Sequence, residues 1–276
     1  MSMLKADRKH MNKKQVADFF DICAPWWDDD MIRNEDVIAA ILDNCGIGPG
    51  DHVLDVACGT GVLFPDYLGR KVASVTGIDI SPEMARIASE KFPQVQVICG
   101  DVENTPFDRQ FDRVMVYNAF PHFPDPARLI RRLAGLIPPG GRLSVAHGMS
   151  RAALLDHHAG RAAAVSIDLI HEEELKDIFS QWFDVDVVIS DERMYQVCGT
   201  RNETPAEAAD DAFGEIRVLL KYMIAHNDAH NQELAELAAQ INAAGKTDAY
   251  RQIMAAVADF DVANAKLNDV LEDLSI

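Results

Sequence analysis

The hydrophobic positions in the first three quarters of the chain alternate between short runs and helical spacings. After the turn Gly48-Pro49-Gly50, the apolar run 52–57 is too short for a helix and ends in glycines, which favours a buried parallel strand. Six further strands are predicted, at 73–78, 95–99, 113–117, 142–146, 183–189 and 194–199. We expect the last two to be edge strands, the final one a candidate for antiparallel pairing. Strands that alternate with helices in this way predict an α/β fold with a doubly wound, mostly parallel, seven-stranded sheet.

Helical spacing also precedes the first strand, from about residue 14 to residue 45, with a break at Ala24-Pro25. The two helices flank an aromatic corner, Trp26-Trp27. Residues 1–47 are therefore predicted to be N-terminal helices and a cap on a first domain that extends to residue 202.

Residues 203–276 differ in composition, being rich in Ala, Asn, Asp, Glu and Leu without a strand signal. Two helices that meet at Ala244-Gly245 predict an antiparallel hairpin in which Asn227 faces Asn264. The predicted seam of the first helix is Phe213, Ile216, Leu220, Met223, Asn227, His230, Leu234, Leu237 and Ile241. The predicted seam of the second helix is Ile253, Val257, Phe260, Asn264, Leu267, Leu271 and Leu274.

Composition and charge exclude several classes of protein. The 276 residues are 48% hydrophobic and 25% charged, which rules out a disordered or fibrous chain. The net charge of -18 repels polyanions, so we expect no nucleic-acid partner. No apolar run approaches the ~20 residues of a membrane helix, and the polar, basic first fifteen residues do not resemble an export signal. Five scattered cysteines without a C-x-x-C spacing suit a reducing cytoplasm.

The segment 53–63 carries the chemistry, because a strand there runs into the turn Gly59-x-Gly61 at the start of a helix. Glycines let the backbone approach a ligand closely, and a helix start offers amide donors. About 20 residues on, Asp79 ends the next strand, where a carboxylate can accept both hydroxyls of a ribose. Phe64 replaces the third glycine of a dinucleotide motif, and Asp55 would repel a pyrophosphate but attract an amino group. The pattern therefore predicts a nucleoside site.

These motifs resemble the class I S-adenosylmethionine-dependent methyltransferases over about residues 15–200. The matching segments are 54–61 (first motif), 79–81 (ribose), 100–103 (adenine amine), 116–123 (strand end beside the methyl group) and 136–141 (turn before the fifth strand). The opening segment 19–28 is similar to the start of ubiquinone/menaquinone C-methyltransferase-like enzymes, the methyltransferase type 11 group. The hairpin is not part of this resemblance.

The resemblance implies a Rossmann-like sheet that binds S-adenosylmethionine and releases S-adenosylhomocysteine. The implied cofactor-binding residues are Asp55, Ala57, Gly59, Gly61, Asp79, Ile80, Asp101, Val102 and Asn118. Trp26 and Trp27, with the segment around His157-His158, are expected to cover the acceptor. Because methyl transfer from a sulfonium is a direct displacement, Cys58 is interpreted as a packing residue.

Histidines are the candidate bases. His122 and His147 follow the fourth and fifth strands, at the carboxyl edge where ligands bind in such sheets, and His157 and His158 follow in a cover segment. Each is equally well explained as an ordinary loop histidine. In the hairpin, His226 and His230 lie one helical turn apart and could chelate a metal, although polar seam residues that set helix register explain this region better.

The leading functional hypothesis is a methyltransferase that acts on a small molecule. The alternatives are a C-methyltransferase of a quinone-like aromatic and a non-catalytic protein that senses S-adenosylmethionine or a metal. The hairpin is expected to form a homodimer, and the alternative is a lid over its own active site.

Overall fold

The structure of the protein, a computed structural model, describes residues 12–29, 33–158, 165–202 and 214–273. Of residues 155–158 and of part of the first hairpin helix it describes the backbone only. The chain divides into two units, Met1–Glu203 and Thr204–Ile276, and each is described by itself.

The first unit is built on a seven-stranded sheet with the order β3-β2-β1-β4-β5-β7-β6. Its strands are β1 His52–Val56, β2 Ser74–Asp79, β3 Gln96–Cys99, β4 Arg113–Tyr117, β5 Arg142–His147, β6 Phe183–Ser190 and β7 Tyr195–Arg201. Strands β1 to β5 pair in parallel, and β7 is antiparallel to both β5 and β6. The predicted doubly wound, mostly parallel sheet is confirmed.

The position of β7 corrects one expectation, because β7 lies inside the sheet and only β6 is at that edge. The burial of the two strands explains the difference. The first five residues of β7 are all buried, as in a strand covered on both faces, whereas β6 is only partly buried along its length.

Helices cover the sheet, and the loops between strands and helices form the edge at which the strands end. In the described part of the first unit they are α1 Lys13–Cys23, α2 Glu35–Asn44, α3 Phe64–Gly69, α4 Pro82–Lys91, α5 Pro126–Ala134, α6 Arg151–His158 and α7 Glu172–Phe179. Ser81 caps α4 by accepting the Met84 N–H (3.1 Å), so this helix begins directly after β2 ends. The strand order reverses between β1 and β4, which opens a crevice at the carboxyl ends of these strands.

The second unit is a helical hairpin of α8 Gly214–Ala243 and α9 Thr247–Asp273, joined through Gly245 in the left-handed region (φ 81°). The predicted pairing is confirmed, since Asn227 Nδ2 donates to Asn264 Oδ1 (2.9 Å). A second amide, Asn231, donates to Asp261 Oδ1 (2.7 Å). Polar side chains therefore fix the register of the two helices.

The predicted seam of α8 is rotated by one residue relative to the structure. Met223 and Leu237 are 45% and 49% exposed, whereas Ile224, Asn231 and Ala238 are buried. Phe260, predicted in the seam of α9, is 51% exposed. Asn231 bonds Asp261 and Asn264 bonds Asn227, so these amides face the partner helix. Their hydrogen bonds favour a different face of α8 from the one that the apolar periodicity predicted.

No helix among the described residues combines the length and the apolar content that a bilayer-spanning segment requires.

Candidate functional site

A cavity that is open to solvent lies at the carboxyl ends of β1, β2 and β4. Its floor comes from the strand ends and the loops after them, and its roof from α1 and the turn that follows α1. The lining residues are Lys13, Val16, Phe20, Trp27, Asp55, Val56, Ala57, Cys58, Gly59, Val62, Leu63, Ile78, Asp79, Ile80, Met84, Gly100, Asp101, Val102, Tyr117, Asn118, Ala119, His122 and Phe123.

The glycine turn after β1 forms one wall of the cavity. Gly59 and Gly61 adopt positive φ angles of 56° and 84°. At Gly61 a Cβ atom would lie 2.7 Å from the Phe64 ring, so this position has no room for a side chain. Gly59 lines the cavity, and Gly61 shapes the turn from behind.

Asp79 anchors this turn to the end of β2. Its Oδ2 accepts the Gly59 N–H (2.8 Å) and its Oδ1 accepts the Ser81 N–H (2.9 Å). Burial raises the pKa of Asp79 to about 6, although the backbone hydrogen bonds from Ser81 and Gly59 act in the opposite direction. A buried carboxylate of this kind favours ligands that donate hydrogen bonds or carry positive charge.

Asp55 lies beneath the turn and is 2% exposed. Burial raises the pKa of this carboxyl well above its ordinary value, and the negative charge of Asp79 raises it further. Burial also raises the pKa of the neighbouring Cys58 thiol, again with help from both carboxylates. A thiol held in its neutral form is a poor nucleophile, which supports the interpretation of Cys58 as a packing residue.

The raised pKa of Asp79 predicts a pH-dependent cost of folding. Its pKa is about 6 in the folded protein and ~3.9 in an unfolded chain, so the folded state holds the proton more tightly. The stabilisation that this proton provides is present at low pH and is lost as pH rises through 6. Relative to Asp79→Asn, we expect the wild type to lose about 1–3 kcal/mol in free energy of unfolding between pH 4.5 and 7.5. Urea denaturation of both proteins at the two pH values measures this, and a constant difference would contradict it.

Two non-glycine residues with left-handed backbone line the same cavity. Ala57 follows β1 (φ 56°) and Asn118 follows β4 (φ 54°). The Asn118 side chain accepts the Gly148 N–H (2.9 Å), which joins the loops after β4 and β5. Backbone strain of this kind is typical of ligand sites.

Asp101 lies at the far end of the cavity, after β3. Its Oδ2 accepts from Lys13 Nζ (2.7 Å) and from Asn104 Nδ2 (2.6 Å), and its Oδ1 accepts the Glu103 N–H (3.1 Å). Val102 is buried beside it, and Ile80 lines the wall after β2. Of the nine residues that the resemblance implied for the cofactor, eight line one cavity and the ninth, Gly61, supports it.

His122 is the histidine that the structure places in the cavity wall. Its Nδ1 lies 2.8 Å from the Val165 carbonyl oxygen, which can only accept, so Nδ1 carries the proton. In the neutral imidazole this leaves Nε2 as the basic nitrogen. The ring packs edge-on against Phe20, with 4.8 Å between centroids.

His147 lies elsewhere, which corrects the expectation that both strand-end histidines face the ligand. Its side chain is fully buried, its ring packs against Tyr195 at 6.0 Å, and it is absent from the cavity lining. Successive side chains of a strand point to opposite faces, so a place at the end of β5 does not by itself put a residue in the cavity.

The other histidine predictions are not tested. His157 and His158 end α6, but their side chains lie outside the described residues, as does the side chain of His226. His230 lies on α8 and is partly buried. Among the side chains that the structure describes, no group of three or more histidine, cysteine or acidic residues could hold a metal ion.

No site role was predicted for several lining residues, among them Lys13, Phe20 and Tyr117, although Phe20 and Tyr117 fall in the matching segments 19–28 and 116–123. Lys13 and Phe20, with Val16 between them, share one face of α1 at helical spacing, a pattern equally typical of a core helix. Of the aromatic corner, Trp27 lines the cavity, whereas Trp26 is 62% exposed.

Comparisons with known protein families match each unit separately. Residues 54–145 match the family described as methyltransferase domain. Residues 216–274 match a family described as a domain of unknown function, DUF8180.

Among curated proteins, the chain is similar to ubiquinone biosynthesis O-methyltransferase of Coxiella burnetii, at 32% identity over 145 residues. The match covers 49% of this chain and 62% of the relative, so the chain spans less than two thirds of that protein. The corresponding enzyme of Idiomarina loihiensis is 29% identical over 155 residues, covering 51% of this chain and 63% of the relative.

Among solved structures, the chain resembles magnesium protoporphyrin IX methyltransferase of Synechocystis PCC 6803 with bound S-adenosylhomocysteine. The TM-score is 0.54 at 20% identity, covering 69% of this chain and all of that chain (100%). The N-methyltransferase NodS from Bradyrhizobium japonicum, in complex with S-adenosylhomocysteine, gives 0.54 at 15% identity, covering 70% and 100%. These likenesses show the fold.

Proposed function

We propose that the sheet unit, in which residues 54–145 form a class I methyltransferase domain, binds S-adenosylmethionine in the cavity and transfers its methyl group to a small-molecule acceptor. The observation that carries this proposal is the convergence of the glycine turn, Asp79, Asp101 and His122 on one cavity. The similarity to ubiquinone biosynthesis O-methyltransferases supports it.

The lining residues fit this cofactor chemically. Asp79 is a buried acceptor suited to ribose hydroxyls, and Asp101 is an acceptor suited to the adenine amine. Asp55, buried behind the glycine turn, is suited to the positive end of the amino-acid part. A bound S-adenosylmethionine supplies an electrophilic methyl group on a sulfonium.

The protein's own residues orient the acceptor and remove its proton. His122, with Nδ1–H held by the Val165 carbonyl, presents Nε2 as a base. Trp27 and Phe20 cover the cavity and exclude water; their rings pack edge-on at 5.5 Å. Gly59 and Asp79 hold the turn rigid, so the geometry for direct transfer is set before the acceptor binds.

The acceptor side of the cavity is rich in aromatic side chains. Phe20, Trp27, Tyr117 and Phe123 line the same cavity as His122, and the Phe20 ring packs against His122. Burial raises the pKa of the Tyr117 hydroxyl, which keeps it a hydrogen-bond donor at neutral pH. This lining supports a flat, apolar acceptor with one polar group, and it suits both O-methylation and C-methylation of a quinone-like aromatic.

Incubation with trideuteromethyl-labelled S-adenosylmethionine and a cell metabolite extract tests the activity. We expect mass spectrometry to find S-adenosylhomocysteine together with a labelled acceptor, and neither with Asp79→Ala. Cofactor binding without product in any extract would favour the sensor hypothesis instead. Failure to bind either cofactor form would overturn the proposal.

For the hairpin unit we propose self-association. Five apolar side chains, Met223, Leu237, Phe260, Val262 and Val270, are 45–55% exposed. A second copy that packs against the hairpin in a two-fold helical bundle would cover part of these side chains.

Removal of the hairpin tests this. We expect the full chain to be a dimer by light scattering and a chain ending at residue 203 to be a folded monomer. Phe260→Glu, which places a charge on the exposed surface, is expected to dissociate the full-length dimer, and Lys246→Glu at the loop serves as the control. A monomeric full-length chain would contradict the proposal.

A further inference from the structure

The roof of the cavity is fastened to the sheet domain at several points. Asp21 Oδ1, near the end of α1, accepts from Ser81 Oγ (2.5 Å) and from the Glu83 N–H (3.0 Å) at the start of α4. In the turn after α1, Asp28 accepts from Thr60 Oγ1 (2.5 Å) and pairs with Lys91 Nζ (2.6 Å). These contacts hold the carboxyl end of the roof over the glycine turn.

The start of α1 is held differently, by the ion pairs of Lys13. Its ammonium group bonds Asp101 Oδ2 (2.7 Å) and also Glu103 Oε2. The Glu103 side chain is only 5% exposed and makes a second ion pair with Arg128 (3.3 Å). A lysine that lines the cavity thus neutralises two adjacent carboxylates, which would otherwise repel each other.

The hydrogen bonds that Asp101 accepts can be counted for each carboxylate oxygen. A carboxylate offers about four lone-pair sites. Lys13 and Asn104 occupy both sites of Oδ2, and the Glu103 N–H occupies one site of Oδ1. Among the described residues none takes the second acceptor site of Oδ1, and one site is what a single amine hydrogen requires.

We propose that Lys13 is a positioning residue of the cofactor site, which fixes Asp101 so that Oδ1 accepts the adenine amine and which closes the start of α1 over the adenine end. This inference rests on the proposed cofactor. It gives Lys13 two measurable consequences: discrimination of a 6-amino from a 6-oxo purine, and slow release of the ligand.

Ligand release and purine selectivity test the proposal. S-adenosylhomocysteine and its 6-oxo analogue, S-inosylhomocysteine, are bound to the wild type and to Lys13→Met, and dissociation is followed by tryptophan fluorescence, since Trp27 lines the cavity. We expect Lys13→Met to release S-adenosylhomocysteine about tenfold faster, the scale of one charge-assisted hydrogen bond. We also expect the preference for the 6-amino purine to fall by about tenfold, because Asp101 is no longer fixed.

The neighbouring lysine provides a matched control. Lys14 lies on the same helix, is 76% exposed and pairs only with Asp18 among the partners that the structure describes. Lys14→Met is expected to stay within twofold of the wild type in both measurements. Lys13→Arg, which keeps the charge, is expected to recover most of the selectivity.

The outcomes separate the inference from the proposed function. Absence of S-adenosylhomocysteine binding by the wild type would overturn the function itself. Wild-type binding with unchanged release and unchanged selectivity in Lys13→Met would overturn the role of Lys13 alone. Faster release with unchanged selectivity would also overturn it, because a purely structural clasp acts equally on both purines.

Discussion

Asp79→Ala is expected to weaken binding of S-adenosylhomocysteine by about a hundredfold or more. Under the proposed function, the substitution removes the acceptor of two charge-assisted hydrogen bonds to the ribose hydroxyls, each worth about 1.5–3 kcal/mol. It also releases the Gly59 and Ser81 N–H groups that now fix the turn. Isothermal titration calorimetry measures the affinity.

Two controls make this result interpretable. Asp184→Ala removes an exposed carboxylate from β6, outside the cavity lining, and is expected to leave affinity unchanged. Asp79→Asn keeps one acceptor oxygen and is expected to bind with intermediate affinity. Unchanged affinity in Asp79→Ala would show that the nucleoside does not bind at the end of β2. Tighter binding of NAD than of S-adenosylhomocysteine would contradict the proposed cofactor.

His122→Ala is expected to reduce turnover by roughly 10²–10⁴-fold while cofactor affinity stays within about threefold, because a general base acts on the acceptor alone. The neutral tautomer set by the Val165 carbonyl makes Nε2 the proton acceptor. Steady-state kinetics with saturating cofactor measure the loss.

A histidine outside the site controls for non-specific effects. The His171 side chain is 60% exposed at the start of α7, and His171→Ala is expected to retain full activity. Thermal unfolding of His122→Ala checks that the contact with Phe20 is not required for folding. A near-normal rate in a folded His122→Ala protein would show that the acceptor is nucleophilic without a base.

The sequence predicted that the candidate cofactor residues lie around one cavity, for a physical reason. Gly59, Asp79 and Asp101 follow three parallel strands, and parallel strands bring their carboxyl ends to one edge of the sheet. Once strands and connections are known, the juxtaposition of these residues is fixed by topology. No side-chain rotamer has to be known.

The acceptor half could not be predicted to the same extent. Both His122 and His147 lie near strand ends, yet of the two only His122 lines the cavity, and the His147 ring packs against Tyr195 of β7 instead. Lys13 approaches Asp101 from 88 residues away in sequence. Such a contact depends on how α1 docks, and local periodicity carries no information about it.

In the hairpin, the sequence predicted the pairing of Asn227 with Asn264 but not the rotation of α8. An alternation of three and four residues fits two neighbouring stripes almost equally when alanines are frequent. Ala238, a residue without a strong apolar signal, is fully buried, whereas Leu237 beside it is half exposed.

The residues that form the roof of the cavity come from the N-terminal segment, which affects how the site can change in evolution. Phe20 and Trp27 precede residues 54–145, which match the methyltransferase domain family and provide the glycine turn, Asp79 and Asp101. Under the proposed function, exchange of the N-terminal segment alters the acceptor side of the cavity while the glycine turn, Asp79 and Asp101 are kept, and Lys13 is exchanged with the segment. The hydrogen bond between Asp21 and Ser81 attaches this segment to the sheet domain. The residues on the acceptor side can therefore change at a different rate from those on the cofactor side.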